Sequence, residues 1–260
     1  MAQSSFSPRI VKSGYSYSEA DERRLREELA ACYRLIAHFR MTDLIYTHIS
    51  ARLPGPENHY LLNPYGLMYD EVTASNLIKL DLAGNLVEPS EWGINEAGYT
   101  IHSAILGGRP DVVCALHTHT KAGFAVSCQK DGLLPLNQIS LQFYGQVAYH
   151  NYEGIALDHD ECPRLVADLG NKPTMILRNH GLLTVGRTVP EAFMLMYYLE
   201  KSCEVQISAQ MTGAELIIPS PEVCAHTQAQ YGMNEGSEWA NQPWDALIRM
   251  IDRIDPGYRN

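Results

Sequence analysis

Hydrophobic positions along the chain change their spacing several times, and each change marks an element. Ser18, three residues ahead of Asp21, forms a helix start signal, and Leu25, Leu29, Cys32, Ile36 and Phe39 then recur every three or four positions. This predicts a helix to about Arg40 that rests one apolar stripe on a sheet and turns its other side to water. Over residues 46–53 the spacing drops to two, as in a half-buried strand, until Pro54-Gly55-Pro56 stops it. Residues 60–62 give a second short strand, ended by the turn signal Asn63-Pro64-Tyr65-Gly66. Residues 77–82 and 86–87 flank Ala83-Gly84-Asn85 and predict a hairpin, so short antiparallel strands fill this part of the chain. Asn95 is placed to cap a helix that ends at Gly107-Gly108. A strand then leads from Arg109-Pro110-Asp111 to His117-Thr118-His119. Short helices follow at 121–127 and 137–144, a strand at 147–150 and a helix at 160–169. A second apolar strand from Thr174 runs out at His180, a strand follows at 182–185, and a long helix reaches Met211 with Pro190 near its first turn. Beyond Met211 the pattern weakens, with one helix expected at 239–251, while residues 1–17 show no periodicity and read as a loose tail. With no repeat, low-complexity tract or linker, residues 18–260 read as a single α/β domain.

Composition narrows the partners. The chain has 260 residues, 45% of them hydrophobic, which is ample for a packed core. Its formal net charge of -10, with no lysine- or arginine-rich run, argues against nucleic acid or an anionic membrane as a partner. Cys32, Cys114, Cys128, Cys162, Cys203 and Cys224 show no C-x-x-C spacing and read as reduced thiols. No apolar run is long enough to span a bilayer and no signal core is visible, so a cytoplasmic location is expected.

The candidate chemistry begins at His117 and His119. Side chains alternate along a strand, so these two imidazoles project together while Thr118 points away. Two such rings can clamp one divalent metal, and His180, at the end of a second apolar strand and followed by the flexible Gly181, is the candidate third ligand. The competing reading is that all three are ordinary hydrogen-bonded strand ends.

Two separated motifs, Arg109-Pro110-Asp111 leading to His117-Thr118-His119 and Leu177-Arg178-Asn179-His180-Gly181-Leu182 leading to Gly186, resemble the class II aldolase/adducin family. Asn63-Pro64-Tyr65-Gly66 and Tyr149-His150-Asn151-Tyr152-Glu153-Gly154 look like the branch that contains bacterial aldolase-like proteins and the adducin head domain. The resemblance implies a three-layer α/β/α sandwich with a mainly antiparallel central sheet, and a homotetramer with sites between neighbouring subunits. It also implies a zinc held by His117, His119 and His180, acting as a Lewis acid on a small hydroxy-carbonyl substrate; ligand type alone also admits manganese or iron.

The sequence departs from the family's aldolases in three places. Their general acid/base glutamate falls, by ungapped counting, on Gly98; Glu96 is the nearest carboxylate, and Ser90-Glu91-Trp92 carries another further upstream. Either could supply a base if the loop is re-routed; otherwise Glu96 is a first-turn helix residue and Glu91 a solvated one. Their phosphate loops are built from small residues, whereas here stand Thr47-His48-Ile49-Ser50-Ala51-Arg52 and the bulky Tyr65, so an unphosphorylated substrate is expected. Arg52, His48 and Tyr65 would suit a carboxylate or phenol, with a strand-edge Arg52 and an internally bonded His48 as the alternatives. His150 falls where the aldolases carry a proton-donating tyrosine, a task an imidazole can perform near neutral pH. His102, on the helix before the metal strand, reads as structural. Three functions remain open: a metal-dependent aldolase-like lyase acting on a hydroxy-carbonyl or keto acid, a metal-dependent decarboxylase or non-haem iron oxygenase, and a non-catalytic adducin-head-like module. The compact length, with no neck or basic tail, weighs against the last.

Overall fold

Seven strands make one sheet in a computed structural model that describes residues 18–55, 57–155, 159–232 and 236–260. The tail expected at residues 1–17 lies outside the described residues. The strands are β1 (His48–Arg52), β2 (Tyr60–Leu62), β3 (Ile78–Leu80), β4 (Cys114–Thr118), β5 (Val147–His150), β6 (Thr174–Leu177) and β7 (Gly181–Gly186), in the order β3-β2-β1-β4-β7-β6-β5. Every neighbouring pair is antiparallel except β5 with β6. The sheet is mainly antiparallel, as expected.

Period-two alternation splits the sheet's side chains between two cores. On one face Ile49, Ala51, Leu116 and Leu182 pack under α1 (Glu19–His38), α3 (Lys121–Ser127) and α6 (Val189–Met211). On the other, Ala115, Met175, Leu183 and Val185 pack with Ile101, Ile105 and Leu106 of α2 (Glu96–Gly108) and Leu165 and Leu169 of α5 (Cys162–Leu169). Helices thus cover both faces, and the result is three layers.

Most helix starts follow the expected cap chemistry. The side chains of Ser18, Asn95, Thr120 and Thr188 accept backbone N–H bonds at the starts of α1, α2, α3 and α6. Two expectations need correction. The helix α1 is not a surface helix with one wet side, because Leu29 to Ile36 are all buried. The covering layer is α8 (Asn241–Ile254) with the short turn Pro256–Arg259, where Tyr258 is buried and Arg34 of α1 meets Asp255. The second change is a helix α7 (Pro221–Gln230), which the sequence pattern does not announce because Cys224 is its one buried side chain. Between α4 (Gln138–Leu141) and α7, Tyr231 donates from its hydroxyl to the Gln138 carbonyl at 2.9 Å, tying the C-terminal region back to the body. The hairpin after β3 closes with a single bridge, Leu80 to Leu86, and the Asp81 carboxylate holds its turn by accepting from the Ala83 and Asn85 amides.

Candidate metal centre

Strand directions bring the histidines to one edge of the sheet. His48 opens β1 opposite His117 near the end of β4, and Leu182 of β7 lies opposite Thr118. β6 runs towards the same edge and turns back into β7 within Arg178-Asn179-His180, so His180 sits in a tight turn rather than on a strand. Asn179 takes the left-handed conformation with φ +57°, which an asparagine tolerates. Gly181 has φ +153°, and a Cβ there would lie 2.5 Å from the Thr118 carbonyl oxygen. No other residue fits that turn without displacing β4.

The three imidazoles meet: one ligand nitrogen from each of His117, His119 and His180 lies within 4.8 Å of the others. His117 and His119 approach Nε2 to Nε2 at 2.8 Å. Their other nitrogens are engaged, His117 Nδ1 with the Leu182 carbonyl at 2.9 Å and His119 Nδ1 with the Asp43 carboxylate at 2.9 Å. An acceptor at Nδ1 fixes the tautomer that leaves Nε2 free as a ligand, the usual outer arrangement of a metal-binding histidine. Burial, with the charge of the neighbouring imidazoles, pushes His117 well below the ordinary histidine range. Burial first, then His119 and His150, pulls His180 down to about 4. His117 and His180 are therefore suited to be neutral donors, and the set of three imidazoles fits a borderline divalent ion. Asp43 is the site residue that sequence reasoning missed. It stands in a loop 76 positions from His119, with no motif around it.

Other candidates separate. His48 is buried at the cluster's flank, its ring 5.1 Å from that of His117. Its Nδ1 meets His102 Nε2 at 2.7 Å. Tyr65 is exposed on the loop that leaves β2 towards the same edge, and its backbone N–H donates to Gly93. Gly98 lies in the first turns of α2 directly against His48: a Cβ at this position would stand 2.4 Å from the His48 ring.

Arg52 does not belong to the centre. It ends β1 four residues beyond His48, and its guanidinium is spent on the carbonyls of Val112 and Leu106 and on Asn58, bracing the connection between α2 and β4. His150 ends β5 with Asp168 at its Nδ1 at 2.8 Å and Glu161 at its Nε2 at 3.1 Å, and it lines a small cavity with Tyr152 and His180. Glu96 is the first residue of α2, at the helix's positive end. Among the described residues nothing ties its carboxylate to the histidines. Glu91 is exposed, as its solvated reading expects.

Fold and cluster together define a three-layer α/β protein with an all-histidine, metal-type centre at one sheet edge. A family model described as Class II Aldolase and Adducin N-terminal domain matches residues 27–207, and the chain belongs to that family. A solved structure of an aldolase II superfamily protein from Pseudomonas syringae is 52% identical with a TM-score of 0.89, covering 94% of this chain and 98% of that one. An L-fuculose 1-phosphate aldolase from Glaciozyma antarctica is 30% identical with a TM-score of 0.83, covering 96% and 97%. Alpha-adducin of Rattus norvegicus is 41% identical over 252 residues, 92% of this chain but 34% of that protein.

Proposed function

We propose that the protein is a metal-dependent lyase that cleaves a carbon–carbon bond in a small, unphosphorylated hydroxy-carbonyl or keto-acid substrate. The observation that carries this reading is the convergence of His117, His119 and His180, with the outer nitrogens of two of them already engaged. These three would hold zinc, with manganese or iron as the other ions the donor set accepts. When bound, the metal supplies Lewis-acid stabilisation of negative charge on a substrate oxygen. Asp43 and the Leu182 carbonyl keep two of the rings in place. Tyr65, exposed on the loop that leaves β2 towards the same sheet edge, would face the substrate in this reading. Pro64-Tyr65 in that loop, in place of small residues, supports a substrate without phosphate. The same reading includes a homotetramer and a cytoplasmic location; among the described residues no helix is long and apolar enough to cross a membrane.

One observation favours a non-catalytic assembly role instead. Position 98, where the family's aldolases carry their glutamate, has no room for a side chain, and alpha-adducin is a relative. The experiment that separates the two is metal analysis followed by a retro-aldol screen of carboxylated and phosphorylated aldols. The lyase reading expects close to one zinc per chain, lost in His117→Ala, and turnover of a carboxylated substrate. Preferred cleavage of a ketose phosphate would overturn the substrate class. Iron with oxygen consumption would point to an oxygenase, and a folded, metal-free, inert protein to the assembly role.

A further inference from the structure

His48 and Ser50 stand two residues apart on β1, so both side chains face the layer that α2 covers. His102 of α2 links them. Its Nε2 lies 2.7 Å from His48 Nδ1 and its Nδ1 2.5 Å from Ser50 Oγ. Ser50 and His102 are fully buried, and His48 is 3% exposed. Burial pulls His102 down to about 3, and burial with the surrounding imidazoles lowers His48 as well. An imidazole keeps at least one ring proton, so the direction of one bond in this chain fixes the direction of the other.

Ser50 sets the direction. Among the described residues its hydroxyl has one partner, His102 Nδ1. If His102 donated there, the buried hydroxyl proton would have no acceptor, which disfavours that arrangement by roughly tenfold or more. Ser50 therefore donates to His102 Nδ1, His102 Nε2 donates to His48 Nδ1, and the remaining proton of His48 sits on Nε2. That atom has no hydrogen bond among the described residues. Gly98 lies so close to the adjoining edge of the ring that a Cβ there would stand 2.4 Å from it.

We propose that Ser50 and His102 form a tautomer relay that presents His48 Nε2–H as a hydrogen-bond donor beside the histidine cluster. Its ligand is a small molecule with two neighbouring oxygens, one for the metal centre and one for His48. The inference rests on reading His117, His119 and His180 as metal ligands. Ser50 and His102 are positioning residues, and His48 is the group that touches the ligand.

The test uses the zinc-loaded full chain and pyruvate, whose keto and carboxylate oxygens are neighbours. Side-chain ¹⁵N spectra at neutral pH are expected to show His48 and His102 both protonated on Nε2, with mixed tautomers in Ser50→Ala. His102→Leu is expected to weaken pyruvate binding about tenfold at unchanged zinc content. His102→Gln, whose amide can donate to His48 Nδ1, is expected to recover most of that loss. A His48 protonated on Nδ1, absence of pyruvate binding, or equal affinity in His102→Leu would overturn the proposal. The spectra of the unmodified protein decide the matter even if the leucine variant fails to fold. Failure to cleave any aldol, with zinc bound and the tautomers as stated, would remove the lyase reading and leave this one standing.

Discussion

At the scale of single residues, Gly98 and His48 form one steric unit. A methyl group at position 98 would meet the His48 ring at 2.4 Å. Gly98→Ala is therefore expected to lower stability by about 1–3 kcal/mol, the usual range for an overfilled core. In a His48→Ala background the same change is expected to be nearly neutral, a coupling that denaturant titration of the four proteins measures. His102 adds a pH dependence. Its folded-state pKa of about 3 lies below the value of about 6.5 of an unfolded histidine, so protons bind the unfolded chain more readily in between. Its contribution is intact above about pH 6.5 and is lost as pH falls towards 3, on the order of a few kcal/mol in total. Urea unfolding of the metal-free protein from pH 7.5 to 4 is expected to show a shallower decline in His102→Gln. Glutamine cannot take up that proton. Gly181→Ala is expected to destabilise the protein and weaken zinc binding together, because the Thr118 carbonyl occupies the space a Cβ needs.

The elements show where sequence patterns speak and where they fall silent. The bounds of β2, β5, α3 and α6 match the expected ones, because turn or cap residues bound each of them. The helix α1 was legible as a helix but not as a buried one. Arg34 hides its charge against the Val72 carbonyl and Asp255, contacts that only the folded C-terminal region provides. Tyr258, 1% exposed, completes that cover and donates to Asp252 at 2.7 Å. Tyr258→Ala is expected to cost about 3 kcal/mol, read as a lowered melting temperature. Much of the C-terminal stretch folds on its own chain, and its exposed apolar side chains include Ile217 and Ile218, ahead of α7. Two features of the site were beyond the reach of spacing. Arg52 faced an open choice that only the strand's direction could decide, and Asp43 needed the fold to bring it to His119.

For the whole molecule, the meeting of the ends of β1, β4, β6 and β7 at one sheet edge matters more than any one of them. The three histidines were legible because their strands are strongly apolar and end abruptly, which strand periodicity exposes. The three-layer order was expected from the family resemblance of the histidine motifs, not from periodicity. Zinc at about a hundred times its dissociation constant is expected to raise stability by about 2.7 kcal/mol, seen as a higher melting temperature that a chelator reverses. His117→Ala is expected to abolish the zinc-dependent increment.

The turn at Gly181 and the acceptors at Leu182 and Asp43 have a last consequence. The rings are anchored to a ladder of main-chain bonds along β4, β7 and β6 that does not pass through the ion, unlike small zinc modules that collapse without theirs. Stripping the ion should therefore leave the far-ultraviolet dichroism untouched, with amide exchange quickening around Arg178-Asn179-His180 alone: an empty socket in an unmoved wall.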